Sequence, residues 1–195
     1  PDNFKDTEIV FRFGMATMSR KLAIFTAKLS DVIREDESDD LQIKVIERKL
    51  SHVEKQNRFK TILDPKLLKL IIDRIDAGEP CLVGSKNQYI RFEDMSEIHS
   101  RDVRKFDKEI DKVLANLKKL YELAEVKEEY FFEHPIHALR HSGCQLLLSA
   151  SGWNTSLVAM TGDWLSTIEV EASYGRMPPD VLKNTYKEAF DRANL

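Results

Sequence analysis

The sequence predicts a mainly α protein with one small antiparallel β-sheet inserted early. Two observations carry that prediction: apolar residues recur at helical spacing along most of the chain, and one stretch near residue 41 switches to strand-like alternation, with a second strand-like run shortly after it. The chain has 195 residues, 42% hydrophobic and 32% charged, with a formal net charge of -3. That is the length of one domain and enough to bury a core. Disorder, a disulfide scaffold and a collagenous repeat are excluded, because apolar content is ordinary, Gly and Pro are sparse, and Cys81 and Cys144 are the only cysteines. No apolar run approaches the roughly 20 residues of a bilayer span, and Pro1-Asp2-Asn3-Phe4-Lys5 lacks the charged-then-apolar order of a signal peptide. The expectation is a soluble, cytoplasmic protein with no membrane partner.

Each element follows in order. Residues 7–32 carry a helical pattern, with Ile9, Phe13, Leu22, Ile24, Phe25 and Leu29 available to a core and breaks near Gly14 and Ser19. Leu41-Gln42-Ile43-Lys44-Val45-Ile46 alternates as a half-buried strand does, and residues 59–63 pair with it across a polar connection. Asp64-Pro65 punctuates, and residues 66–77 return to helix through Leu67, Leu68, Leu70, Ile71, Ile72 and Ile75. Ser100 and Asp102 offer caps to a long helix in which Ile110, Val113, Leu114, Leu117, Tyr121 and Ala124 recur. Further helices are expected over 138–151, over 155–161 and, after Pro178-Pro179, over 180–193. No internal repeat, low-complexity tract or interdomain linker is present.

A slightly acidic total argues at first sight against a nucleic-acid partner, since phosphate binding is driven by Lys and Arg. Position changes that inference. Residues 42–69 carry Lys44, Arg48, Lys49, Lys55, Arg58, Lys60, Lys66 and Lys69 against Glu47, Glu54 and Asp64, eight cations to three acids and a net of +5. The acid gathers elsewhere, in Glu35, Asp36, Glu37, Asp39 and Asp40 and again in Glu122, Glu125, Glu128, Glu129 and Glu133. A polyanion responds to the field within a Debye length of roughly 8 to 10 Å, so a basic hairpin can meet DNA on a near-neutral protein. On charge alone the better-weighted alternative is a hairpin that is merely solvated.

The segment richest in chemistry is His137-Ala138-Leu139-Arg140-His141-Ser142-Gly143, followed by an apolar helix, Gly152, Gly162, Trp164 and Tyr174. On a helix, residues 137, 140 and 141 share one face, so two imidazoles and a guanidinium can point into one pocket. Taken alone, the segment is better explained by a capping or packed His and an Arg paired with a surface carboxylate. His134, His137 and His141 are spaced for successive helical turns, but Pro135 interrupts them and neither a nearby Cys nor a supporting carboxylate is evident, so no metal site is expected. Gly-rich phosphate loops are absent.

The order His-x-Leu-Arg-His, then Gly, Gly, Trp and Tyr, resembles the second conserved box of the tyrosine recombinases, the phage-integrase and Xer-type family of site-specific DNA recombinases. Ala16-Thr17-Met18-Ser19-Arg20-Lys21-Leu22, running on to Leu29-Ser30-Asp31-Val32, resembles the earlier box that holds the family's first Arg. Met18 stands where Gly is usual, Ala23 where Glu is usual, and Thr161-Gly162-Asp163-Trp164 has one residue more after Gly than the common form. The resemblance covers residues 7–175 in the family's order. It implies the recombinase catalytic-domain fold over residues 1–175 and a C-terminal helical segment, 176–195, docking onto a neighbouring protomer. It also implies that the family's separate N-terminal core-binding domain is absent from this chain.

The resemblance further implies a set of roles. Tyr174 is the nucleophile, and its phenol, ordinarily neutral at pH 7, needs a base or a positive field. His137 accepts its proton. Arg20 and Arg140 clamp the non-bridging oxygens of the scissile phosphate through planar, permanently charged forks. A hairpin lysine, Lys49 or alternatively Lys55, protonates the departing 5′ oxygen. Trp164 offers an indole N–H and packing around Tyr174, and His141 supports the pocket. Arg48, Lys55, Arg58, Lys60 and His141 are the candidate DNA contacts. Neither metal nor other cofactor is required, because two Arg and one Lys supply the positive charge that Mg²⁺ provides elsewhere. Double-stranded DNA is the implied partner, a tetramer on DNA the implied assembly, and a prokaryotic, viral or plasmid mobile element the implied source. A type IB topoisomerase, which uses a related residue set, and a non-catalytic integrase remnant that only binds DNA are the alternatives.

Overall fold

The computed structural model describes residues 2–34, 41–46, 57–84, 107–164 and 166–175. They form a mainly helical protein with one three-stranded antiparallel sheet, an α+β architecture. Helix α1 (Asp2–Thr17) is followed by the short α2 (Lys21–Phe25) and a 3-10 turn, Leu29–Asp31. Strands β1 (Val32–Arg34), β2 (Leu41–Ile46) and β3 (Asn57–Ile62) pair in sequence order. The remaining helices are α3 (Pro65–Asp76), α4 (Asp107–Leu123), α5 (Glu129–Glu133), α6 (Pro135–Ala150), α7 (Thr155–Gly162) and α8 (Thr167–Tyr174). Among the described residues no helix is long and apolar enough to cross a membrane.

The chain divides into two compact units, Pro1–Arg140 and His141–Leu195, the boundary falling within α6. In the first unit Ile9 and Phe13 of α1, Ile43 of β2, Ile71 of α3, Leu117 of α4 and Leu139 of α6 belong to one buried cluster. They come from four helices and one strand, so the cluster is what joins helices to sheet. In the second unit Cys144 and Leu148 of α6, Val158 of α7 and Val170 of α8 are buried.

Local chemistry explains the helix starts. The Asp64 carboxylate accepts from the Lys66 N–H at 2.9 Å and the Leu67 N–H at 3.3 Å, and Pro65 occupies the first turn of α3, where its missing N–H costs no bond. Arg12 of α1 reaches the same carboxylate at 2.9 Å, tying α1 to the start of α3. Pro135 likewise opens α6, three residues earlier than the pattern over 138–151 predicts.

The helical pattern over residues 7–32 is realised only in part. Gly14 stays inside α1, the break falls at Met18–Arg20, and helix ends at Phe25. Beyond it the backbone is claimed by distant partners: Leu29 N–H donates to Pro80 O and Leu82 N–H to Ala27 O, each at 3.0 Å. Val32–Arg34 then pairs with β2 instead of continuing as helix. The strand β1 and the helices α5 and α8 add to the expected elements, whereas Ser100, Asp102 and the pattern over 180–193 lie outside the described residues. One guanidinium organises the segment after α3. Arg74 pairs with Asp6 at 2.5 Å and donates to Cys81 O at 3.2 Å and Gly84 O at 2.6 Å.

Two buried groups make stability fall in alkali. Burial pushes the Cys81 thiol from about 9 up to about 12, and burial raises the Tyr121 phenol above its ordinary value of about 10. In each case the unfolded chain loses its proton first, so the native state binds more protons and stability declines as pH rises. The loss is absent below pH about 9, begins with Cys81 and gains the Tyr121 contribution above about 10, at up to about 1.4 kcal/mol per pH unit for each group. Urea midpoints between pH 8 and 10.5 check this, and Cys81→Ala and Tyr121→Phe should each flatten the decline. Slopes as steep as the wild type in both variants would contradict the assignment.

Candidate active site

In the first unit the turn after α1 meets α6. Thr17 closes α1 with its Oγ1 donating to Phe13 O at 2.6 Å, and the Ser19 hydroxyl lies 2.8 Å from it. A hydroxyl has one proton, so with Thr17 donating to Phe13 it is Ser19 that donates to Thr17. Both residues are buried, and between them Met18 takes a left-handed backbone, φ 53°, with 1% of its surface exposed. Arg20, half-buried, follows at the start of α2, where its carbonyl accepts from Ile24 N–H at 3.1 Å.

Helix α6 brings its own residues to that turn. A Cβ on Gly14 would lie 3.2 Å from Leu139 Cβ, so the glycine permits the close approach of α1 to α6 beside Arg140. Arg140 is 2% exposed and its Nη1 donates to Met18 O, across 122 residues of sequence. That bond ties the segment of the first box to the segment of the second. The start of α6 is held from α4, where the buried Tyr121 hydroxyl donates to Pro135 O at 2.8 Å. Tyr121 is itself packed edge-on by Phe131 at 5.3 Å. His137 is exposed and its ring lies 6.1 Å from that of Tyr130.

The second unit gathers three rings. Tyr174, the last residue of α8, has its ring 5.0 Å from that of His141 and 5.8 Å from that of Trp164, the latter edge-on at 86°. Trp164 is placed by the end of α7. Asp163 turns left-handed, Trp164 N–H donates to Ala159 O at 3.0 Å, and the indole covers Gly162 so closely that a Cβ there would lie 1.6 Å from Trp164 Cζ3. No side chain other than hydrogen fits at Gly162 without displacing the indole. Ser166 caps α8 by accepting from Glu169 N–H at 3.4 Å, which sets the start of the helix that carries Tyr174. A phenol flanked by an imidazole and an indole is a suitable setting for a nucleophile whose proton must leave. The imidazole beside it is His141, expected to support the pocket and among the DNA contacts, whereas His137, expected as the proton acceptor, is placed by the structure against Tyr130 in the first unit.

Trp153 has a left-handed backbone at φ 68° after Gly152, and its N–H closes α6 on Leu148 O at 2.7 Å. The hairpin cations fare differently from one another. Arg48, Lys49 and Lys55 lie outside the described residues, as does the side chain of Arg58. Lys60, expected among the DNA contacts, is 4% exposed. The strand register pairs Lys60 with Ile43 and Leu41 with Ile62, which puts Lys60 on the sheet's buried face, while Phe59 is half exposed on the other. The signal for this was present in Phe59-Lys60-Thr61-Ile62, since a buried Ile62 fixes the parity of Lys60. Among the described residues no group of three His, Cys, Asp or Glu could hold a metal ion. No protein-family model, curated protein or solved structure matches the chain.

Proposed function

We propose that this chain is the catalytic domain of a tyrosine recombinase, cleaving and rejoining double-stranded DNA through a 3′-phosphotyrosyl intermediate. The observation that supports it best is the hydrogen bond from Arg140 to Met18 O, which joins the two sequence boxes of the resemblance two residues from Arg20. The three-ring setting of Tyr174 supports it independently.

In this reading Arg20 and Arg140 hold the non-bridging oxygens of one phosphate, where charge grows in the pentavalent transition state. The Tyr174 oxygen attacks phosphorus, its proton passes to an imidazole, the P–O5′ bond breaks, and a hairpin lysine, Lys49 or Lys55, gives the 5′ oxygen its proton. The phosphotyrosyl bond conserves the energy of the broken diester, so a second 5′ hydroxyl reverses the step without a nucleotide cofactor. A tetramer on DNA is the working assembly and a mobile element's integration or excision the setting.

The test is covalent trapping. The full chain is incubated with a pool of nicked duplexes, whose short 5′ fragment diffuses away after cleavage, and SDS-resistant adducts are digested and mapped. The expected result is DNA on the peptide that contains Tyr174. Adducts on another residue, or none with any duplex, would reject the proposal.

A further inference from the structure

We propose that Met18 is a positioning residue: its left-handed backbone aims its carbonyl at Arg140 and so orients the guanidinium that, under the proposed function, clamps the scissile phosphate. Side chains other than Gly, Asn and Asp rarely adopt φ near 53°, yet Met18 does so in a fully enclosed turn. The surroundings over-determine that conformation. The hydroxyls of Thr17 and Ser19 bind the turn back onto Phe13 O, both at 1% exposure or less, and Gly14 lets Leu139 seat against α1 beside it. The carbonyl that results meets Arg140 Nη1.

A carbonyl is well suited to this task. It satisfies one donor of a buried guanidinium and fixes the plane of the fork, but unlike a carboxylate it cancels none of the positive charge. The bond to Met18 therefore sets the direction of the guanidinium without itself cancelling charge, which is the preorganisation that a phosphate clamp needs. The role belongs to the backbone of Met18, and the side chain serves it by filling the space around the turn.

Backbone and packing roles make opposite forecasts for two variants of the full chain. Met18→Gly keeps the left-handed conformation available but empties the side-chain space; Met18→Val keeps a buried apolar group but, being β-branched, resists φ above zero. Two readouts are taken. The first is the ¹⁵N spectrum of the Arg140 guanidinium, assigned with Arg140→Lys, in which a hydrogen-bonded fork rotates slowly and shows separate Nη signals. The second is single-turnover adduct formation at saturating nicked DNA, with the Kd for DNA measured alongside. Met18→Gly is expected to keep the separate signals and a rate within about threefold of wild type, while Met18→Val merges the signals and slows the rate at least about tenfold with Kd little changed. Wild-type behaviour of Met18→Val, or a larger loss in Met18→Gly than in Met18→Val, overturns the proposal. If Met18→Val does not fold, merged Nη signals in the wild type overturn it and separate signals kept in Met18→Gly sustain it. Should the wild type form no adduct with DNA, the spectra still decide whether Met18 holds Arg140, and that failure falls on the proposed function alone.

Discussion

Replacing Tyr174 with Phe is expected to abolish the covalent DNA adduct that the proposed function requires while leaving DNA affinity within about twofold of wild type, because the substitution removes the oxygen proposed to attack. The ring remains, and with it the contacts to His141 at 5.0 Å and Trp164 at 5.8 Å that place the end of α8. Denaturing gels after incubation with nicked duplex read the adduct, and a filter or mobility assay reads the affinity. Trapping that survives in Tyr174→Phe would assign the nucleophile elsewhere and remove the main role given to α8.

Arg140→Ala carries the second large effect, and it acts on rate and stability together. Loss of one guanidinium that stabilises a transferring phosphoryl group costs about 10³ to 10⁵ in rate, and Arg140→Lys, which keeps charge without the planar fork, should still lose about 100-fold. Stability should fall by about 1 to 3 kcal/mol in Arg140→Ala, because the enclosed Met18 carbonyl loses its Arg140 donor and the space of a side chain only 2% exposed is emptied. Single-turnover adduct formation gives the rates, and urea unfolding gives the stability. An Arg140→Lys variant that cleaves at the wild-type rate would show that only charge matters there, and would count against a bidentate clamp.

Much of the fold is legible along the chain because it is set by short-range periodicity. Leu41–Ile46 alternates and is a strand; residues 66–77 repeat at helical spacing, and helix α3 runs over Pro65–Asp76 after the break at Asp64-Pro65. The candidate site is legible to the same depth. That Arg20, His137, Arg140, His141, Trp164 and Tyr174 deserve notice follows from residue types and order, and the helix α6 carries three of them as its pattern implies.

The rest depends on partners that are far apart in sequence. Residues 26–32 fall within the helical pattern, but backbone bonds of this stretch go to Pro80, to Leu82 and to β2, and no window of neighbouring residues contains those partners. Lys60 reads as a DNA-facing cation until the pairing with Ile43 turns it inward. The imidazole beside Tyr174 is the one at 141, and Met18, a mere departure from the expected Gly in sequence, proves to be left-handed and bound to Arg140. Propensity, capping and period act over a few residues, and they set α1, β2, α3 and α6 and the side chains these elements carry. Register, enclosure and the bond between Met18 and Arg140 come from packing, because there a contact's energy depends on groups that only the folded chain brings within reach.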